Sequence, residues 1–210
     1  MSLYDTLRTD ILTGTFAPGS KLKMDLLKER YSAGVNVLRE NLVRLSSEGL
    51  VDAEDQKGFR VAETTLSRLS DLTRLRILLE ADGAKHSFLH GGIDWESNLV
   101  AAHHKLVYIE EKMREDEAAY FKSWHQYDWE FHAALIAACG SQLHRHYHKQ
   151  VFDQFRQYVV LELNTHGFRG NDIIGEHEAV MEAALARDAE RCAAALEKHL
   201  SVYYQRSLAS

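Results

Sequence analysis

Apolar residues in the first third of the chain recur at helical spacing in three short segments. The spacing predicts helices over residues 4–13, 23–31 and 35–49. In the third segment the residues that fall on one face are Val35, Leu38, Leu42 and Leu45. Gly49 is expected to cap this helix, because glycine adopts the left-handed backbone that often ends one.

A shorter, alternating pattern follows the third helix. Residues 50–53 and 59–62 alternate as two short strands around a wing at 54–58. Three short helices and a two-stranded wing are the parts of a winged helix-turn-helix, in their usual order.

Beyond Leu66 every long segment has the pattern of an amphipathic helix. The predicted helices lie near residues 67–89, 94–115, 117–138, 141–164, 171–186 and 188–207. Six helices with short connections predict an antiparallel bundle. The fold class is therefore mainly α: a DNA-binding domain over 1–66, followed by an all-helical domain over 67–210.

Composition limits the class of protein. The 210 residues carry a net charge of −6, include one proline, and contain two isolated cysteines that do not form a disulfide framework. We therefore expect a cytoplasmic protein with no membrane segment and no secretory leader. Residues 1–66 hold nine Lys/Arg against ten Asp/Glu, so DNA binding must depend on a local cluster of cations.

The third helix and the wing carry that cluster. Asn36, Arg39 and Arg44 lie on the predicted polar face of the helix, while Lys57 and Arg60 belong to the wing. Arginine can bind a guanine edge with two hydrogen bonds or contact a phosphate. The alternative is an ordinary solvated helix face, and only the ordered combination of turn, helix and wing favours DNA binding.

The same segment resembles the N-terminal module of the GntR family of bacterial transcription regulators. Arg39-Glu40, Leu42 and Arg44-Leu45 match the family pattern around the third helix. Gly34 and Val35 replace the usual serine and first arginine, which implies a different operator preference, and Asn36 stands where threonine is usual.

A narrower similarity exists to a subgroup that represses genes for dicarboxylate and 4-aminobutyrate breakdown. The matching residues are those of 21–24, Arg30-Tyr31 and Gly34-Val35.

All twelve histidines lie at or beyond His86. Asp128 and His132 are four residues apart and share a helix face, while His177 and His199 lie on later predicted helices. Such a set suits zinc, nickel or manganese. Taken alone, a histidine is more often a core or surface residue than a ligand. The rival ligand sources include His125 and the group His144, His146 and His148, which we expect to decorate a surface.

The second domain also resembles a known type, the all-helical FCD domain of the FadR subfamily. That resemblance implies a divalent transition metal, zinc first, bound by Asp128, His132, His177 and His199. It further implies a small carboxylic acid effector beside the metal, paired with Arg76. A simple helix-supporting ion pair between Arg76 and Glu80 explains these two residues equally well.

Two classes of function follow. The first is a metal-containing transcription regulator that responds to a small organic acid, a repressor acting as a homodimer on a palindromic operator in double-stranded DNA. The alternative is a metal-dependent hydrolase with a three-histidine, one-aspartate site. The sequence favours the regulator and no enzyme activity, because it has no phosphate loop and no nucleophile elbow.

Overall fold

The computed structural model describes residues 2–54 and 56–209. Three short helices begin it: α1 (Leu3–Leu12), α2 (Met24–Tyr31) and α3 (Val35–Ser47). Ser2 caps α1 in a reciprocal capping box with Asp5. The helices bury one shared core, which includes Leu7, Leu12, Leu27, Leu38, Leu42 and Leu45.

A two-stranded wing follows these helices. β1 (Val51–Glu54) pairs antiparallel with β2 (Gly58–Val61), with Val51 opposite Val61. α3 ends two residues before Gly49, which has a φ of +73° and turns the chain into β1. Asp55, at the predicted wing tip, lies outside the described residues.

Six long helices make up the rest of the described chain. They are α4 (Leu66–His90), α5 (Ile93–Glu115), α6 (Glu117–Leu135), α7 (Gln142–His166), α8 (Asn171–Leu185) and α9 (Ala189–Ala209). The mainly α fold with a winged module and a bundle is thus confirmed. The predicted helix over 117–138 was too long, since α6 ends at Leu135 and a turn leads to Gly140 at φ +79°.

None of the helices in the described part of the chain combines the length and apolarity that a bilayer crossing requires.

Helix α7 contacts both halves of the molecule. Its Gln154 amide donates to the Glu48 carbonyl over 3.0 Å. Its Tyr158 hydroxyl accepts from the Thr65 backbone N–H and donates to the Thr65 carbonyl, each at 3.2 Å. Asp153 of the same helix pairs with Arg8 of α1. The winged module is therefore fastened directly to a helix of the bundle core.

Candidate metal centre and DNA-reading surface

Three histidines from three helices meet in the bundle core. His132 of α6, His177 of α8 and His199 of α9 offer ring nitrogens that all lie within 4.8 Å of one another. All three side chains are buried, between 0 and 2% exposed. We call these residues the histidine cluster. The Nε2 atoms of His132 and His177 have no hydrogen-bond partner among the described residues, and buried nitrogens of that kind are open to a ligand.

A buried glutamate lies behind each of the three imidazoles. In every case a carboxylate oxygen accepts from Nδ1 within 2.9 Å, so the carboxylate occupies Nδ1 and leaves Nε2 as the ring nitrogen open to a metal. The pairs are His132 with Glu80, His177 with Glu110, and His199 with Glu176. Metal-binding histidines are commonly held in this way, with a carboxylate fixing the tautomer and the ring orientation. The donor set therefore fits a divalent transition metal.

Asp128 completes the cluster. Its Oδ1 lies 3.4 Å from His177 Nε2 and 3.7 Å from His132 Nε2, while its Oδ2 pairs with the buried Arg156 guanidinium. The four predicted metal ligands are thus brought together at one place in the bundle.

The electrostatics of the cluster match a ligand role for several of its members. Burial, helped by the charge on His177, lowers the pKa of His199 to about 3, so this imidazole is neutral. Burial alone would raise the pKa of the Asp128 carboxyl, but Arg156 and the imidazoles hold it well below its usual range. Neutral imidazole and ionised carboxylate are the forms that bind metals.

His177 is held differently. Burial alone would lower its pKa, but the carboxylates of Glu110 and Asp128 outweigh burial and raise the pKa to about 9. The imidazole therefore carries a proton that a metal would have to displace.

Arg76 is linked to the histidine cluster through Glu80, the carboxylate behind His132. Its Nε is 2.6 Å from Glu80 Oε1 and its guanidinium stacks 4.3 Å from the centre of the Phe152 ring. The i,i+4 ion pair with Glu80 is present, but both partners are buried rather than on the surface. Among the described residues, Arg76 Nη2 and the Nε and Nη1 atoms of Arg156 are buried donors without a hydrogen-bond partner.

The expectation that His144, His146 and His148 decorate a surface was wrong for two of the three. Only His146 is exposed. His148 is buried and its Nε2 lies 3.0 Å from Glu80 Oε1, while His144 is half-buried with Nε2 2.7 Å from the Leu79 carbonyl. Because α7 is surrounded by other helices, positions on several of its faces are buried.

The predicted DNA-contacting side chains divide into two groups. Asn36, Arg39 and Lys57 are exposed, and among the described residues the two cations form no ion pair. The outward position of Arg39 follows from Leu38 and Leu42, which occupy the buried face of α3.

Arg44 and Arg60 are engaged within the protein. The Arg44 guanidinium stacks 3.6 Å from the centre of the Tyr4 ring and lies 3.6 Å from Glu48. Arg60 Nη1 donates to the Gly19 carbonyl at 3.1 Å, and its Nε donates to Glu54 at 3.0 Å. Arg44 remains 62% exposed in its side chain, whereas Arg60 fastens the wing to the turn before α2.

Sequence reasoning missed the residues that support the cluster. Glu110 and Arg156 were not proposed at all, and Glu80 was considered only as a partner of Arg76. One signal was available: Glu110 falls on the same helical stripe as Leu106, Ile109 and Met113, where a carboxylate must be paired if it is buried.

Comparisons with known proteins agree with this architecture. Residues 1–61 match the family described as bacterial regulatory proteins, gntR family, and residues 71–202 match the FCD domain. An uncharacterized HTH-type transcriptional regulator, BphR of Paraburkholderia xenovorans (strain LB400), is 35% identical over 94% of this chain and 80% of its own length. The HTH-type transcriptional repressor GlaR of Escherichia coli (strain K12) is 33% identical over 94% of this chain and 90% of its own length.

Solved structures share the fold. E. coli McbR/YncC aligns with a TM-score of 0.79 at 18% identity, covering 97% of this chain and 96% of that one. A putative GntR transcriptional regulator from Rhodococcus sp. RHA1 gives the same TM-score at 20% identity, covering 99% of this chain and 96% of that one.

These matches are to DNA-binding regulators and give the hydrolase alternative no support. The chain therefore belongs to the GntR family of bacterial transcription regulators, with an FCD domain after its winged helix-turn-helix, and it is a transcription regulator rather than an enzyme.

Proposed function

We propose that this regulator is a metal-containing repressor whose affinity for its operator changes when a small organic acid binds inside the bundle. The observation that carries the proposal is the histidine cluster. Its three imidazoles are each oriented by a glutamate, and it lies beside two buried guanidiniums with unpartnered donors.

DNA is contacted through α3 and the wing. Arg39 projects outward near the start of α3, where it can reach base edges in the major groove, and Asn36 lies one turn earlier. Lys57 extends from the wing toward the phosphate backbone. Two copies of the chain present two such helices to a palindromic operator.

The metal ligands are Asp128, His132, His177 and His199. Zinc is the first choice, because three imidazoles and one carboxylate are ligands it accepts readily, and nickel or manganese are the alternatives. A divalent ion bound there supplies positive charge that attracts a carboxylate.

The effector is a small carboxylic acid. Arg76 and Arg156 both lie beside the Phe152 ring, 4.3 and 5.0 Å from its centre, and both have donors to spare. Each guanidinium is ion-paired with a carboxylate of the chain, and an effector carboxylate would accept from the N–H groups that this pairing leaves without hydrogen-bond partners. Arg156 is an addition to the site predicted from the sequence.

The DNA part of the proposal is tested by gel shift on the DNA flanking the gene. Wild type is compared with Arg39→Ala and with Arg114→Ala, which removes an exposed arginine from α5, outside the winged module. We expect Arg39→Ala to weaken specific binding about 5- to 150-fold, the range of a lost base contact. Equal shifts for all three proteins would remove Arg39 from the reading surface.

The metal part is tested separately by elemental analysis of purified protein. His177→Ala should lose the metal, whereas His146→Ala, which alters an exposed histidine, should keep it. An unchanged metal content in His177→Ala would exclude this residue as a ligand.

A further inference from the structure

A small cavity lies where the winged module meets the bundle. It measures about 140 Å³ and is lined by residues of both parts of the chain. We call it the junction cavity. The candidate metal ligands and Arg76 are not among its lining residues, so it is separate from the histidine cluster. The module contributes Ile11, Phe16 and Val61 to its walls, and α7 contributes Gln157, Val160 and Leu161.

The walls of the junction cavity are mainly apolar. Of the ten described residues that line it, only Gln157 and Asn164 have polar side chains and none is charged. Ile11 and Val61 are buried in the core of the module, whereas Ala17 and Asn164 are exposed and mark the opening to solvent. An apolar cavity of about 150 Å³ is large enough for a benzene-sized molecule. A charged acid would lose its hydration there without gaining a counter-ion.

Both walls of the junction cavity are held in place. The turn after α1 packs closely on α7, since a Cβ atom added at Gly14 would lie 3.0 Å from Val160 Cγ1. Gln154 and Tyr158 of α7 bond the segments on either side of the wing. The cavity is therefore preformed at the interface of two domains, which is a common position for a ligand site.

Gln157 supplies a buried polar group that lacks a partner. Its side chain is 4% exposed, and its amide nitrogen lies 3.5 Å from the Leu50 carbonyl. Its Oε1 is buried and has no hydrogen-bond partner among the described residues. A buried acceptor in this state is unfavourable, and an O–H or N–H group on a bound molecule would satisfy it.

From these features we infer that the junction cavity is a second ligand site, which binds an uncharged single-ring molecule with one hydrogen-bond donor. Phenol represents this class. The ring fills the apolar space between Phe16, Val61 and Val160, and the donor bonds Gln157 Oε1. The inference goes beyond the proposed function, because neither the metal nor the organic acid takes part in this binding.

The first experiment is an NMR titration of phenol with the metal-loaded protein, without DNA or acid. Wild type should bind one phenol per chain with a Kd on the order of 1 mM or below, which suits a ligand of seven non-hydrogen atoms. Ala17→Phe adds a ring at the opening and should weaken binding at least about ten-fold. Ala53→Phe is the matched control, because Ala53 is exposed on β1 and does not line the cavity. This variant should bind phenol as wild type does.

The second experiment tests the role of the Gln157 acceptor. Toluene has the same ring as phenol but a methyl group in place of the hydroxyl donor. Gln157→Leu should weaken phenol binding about 2- to 10-fold, the range of one neutral hydrogen bond, and should not weaken toluene binding. Gln150→Leu changes a half-buried glutamine of α7 that does not line the cavity, and it should leave both affinities unchanged. Circular dichroism should be equal for all variants.

A third measurement concerns the operator, and this part alone rests on the proposed function. A ligand in the junction cavity contacts the module and α7 together, so saturating phenol should change the affinity of wild type for the operator in a gel shift. The same amount of phenol should leave the operator affinity of Ala17→Phe unchanged. Equal affinities of wild type with and without phenol would overturn a regulatory role for the site.

The outcomes separate this inference from the proposed function. Absence of saturable phenol binding by wild type, or equal phenol binding by Ala17→Phe and wild type, would overturn the inference even if acid and operator binding are observed. Equal losses of phenol and toluene binding in Gln157→Leu would overturn the role of the donor. Phenol binding that Ala17→Phe abolishes would support the inference even in a protein that binds no metal or acid.

Discussion

At the level of single residues, the two ring nitrogens of each imidazole in the histidine cluster have different environments. Nδ1 is occupied by a glutamate, and this contact points Nε2 at the same region as the other two rings. The glutamates come from three different helices, α4, α5 and α8, so several parts of the bundle determine the ring orientations. Orientation is therefore a property of the packed core rather than of the ligands themselves.

Replacing Glu110, the glutamate behind His177, tests whether this contact supports metal binding. Glu110→Gln keeps the size of the side chain but removes the charge, and it should lower metal affinity by about 10- to 100-fold, as is typical for partners of ligating histidines. The affinity for zinc is measured by competition with a chelator. Glu111→Gln changes the neighbouring exposed carboxylate and should leave the affinity unchanged. Equal losses in the two variants would show that net charge, not the contact with His177, is responsible.

The proximity of two of the predicted ligands was easier to foresee than the residues that support them. Asp128 and His132 are four residues apart on one helix, so their proximity is local. Glu110 and His177 are 67 residues apart, and nothing in the spacing of either segment joins them. Their contact depends on how α5 packs on α8, which is a property of the tertiary fold.

At the level of elements, the two cations of the wing have different environments. Lys57 is exposed, whereas Arg60 is held by the Gly19 carbonyl and by Glu54. This difference was not visible in the sequence, where both cations were predicted to contact DNA.

The two environments give opposite expected phenotypes. Lys57→Ala should reduce the salt dependence of operator binding by about one unit of slope and leave stability unchanged. Arg60→Ala should lower the free energy of unfolding by about 1 kcal/mol, through loss of its hydrogen bond to Gly19. Salt titrations of binding and urea unfolding measure the two effects. If Arg60→Ala changes only the slope of the salt dependence, Arg60 contacts phosphate and does not stabilise the wing.

The turn after α3 provides a second prediction at this level. Gly49 has a φ of +73°, and a Cβ atom added there would lie 2.7 Å from the Gln154 amide nitrogen. Gln154 cannot move freely, since it bonds the Glu48 carbonyl and Arg68 at 3.0 Å. Gly49→Ala should therefore cost about 1 kcal/mol for the backbone and about 1 kcal/mol more for the disturbed contacts.

Gly19→Ala is the matched control for this substitution. Its φ of +71° is nearly the same, but an added Cβ atom meets only Glu63 at an ordinary 3.5 Å. It should lose only the backbone contribution in urea unfolding. If Gly49→Ala is no less stable than Gly19→Ala, the contact between the turn and α7 carries no energy.

Periodicity predicted most of the elements because most helices have one buried face. Periodicity gave wrong predictions where a helix is buried on several sides or where an apolar run continues past the end of a helix. α7 has buried residues on several sides, including Val151, Phe152, Asp153 and Arg156, so His148 was wrongly assigned to the surface. The end of α6 was missed because the apolar run to Cys139 continues through a turn.

At the level of the whole molecule, α7 joins the two sites. Arg156 pairs with the predicted ligand Asp128, and His148 contacts Glu80, which also holds His132. Less than two turns away, Gln154 and Tyr158 bond the segments on either side of the wing. Under the proposed function, a shift of α7 caused by an acid at Arg156 would be transmitted through these contacts to the module that carries α3.

The final prediction concerns this connection. In wild type, a short carboxylic acid chosen from a panel of two- to five-carbon mono- and dicarboxylates should weaken operator binding. By thermodynamic linkage, operator DNA should weaken binding of the acid by the same factor, within roughly 5- to 150-fold. Calorimetry measures acid binding with and without DNA, and gel shift measures operator binding with and without the acid.

Gln154→Ala/Tyr158→Phe should retain the affinity for the acid alone and the affinity for the operator alone. It should lower the linkage factor toward one, because the hydrogen bonds between α7 and the module are removed. Gln150→Ala, a half-buried position on the same helix, should keep the wild-type factor. An unchanged factor in the double variant would mean that the acid signal reaches the DNA-binding module by a route other than these α7 contacts.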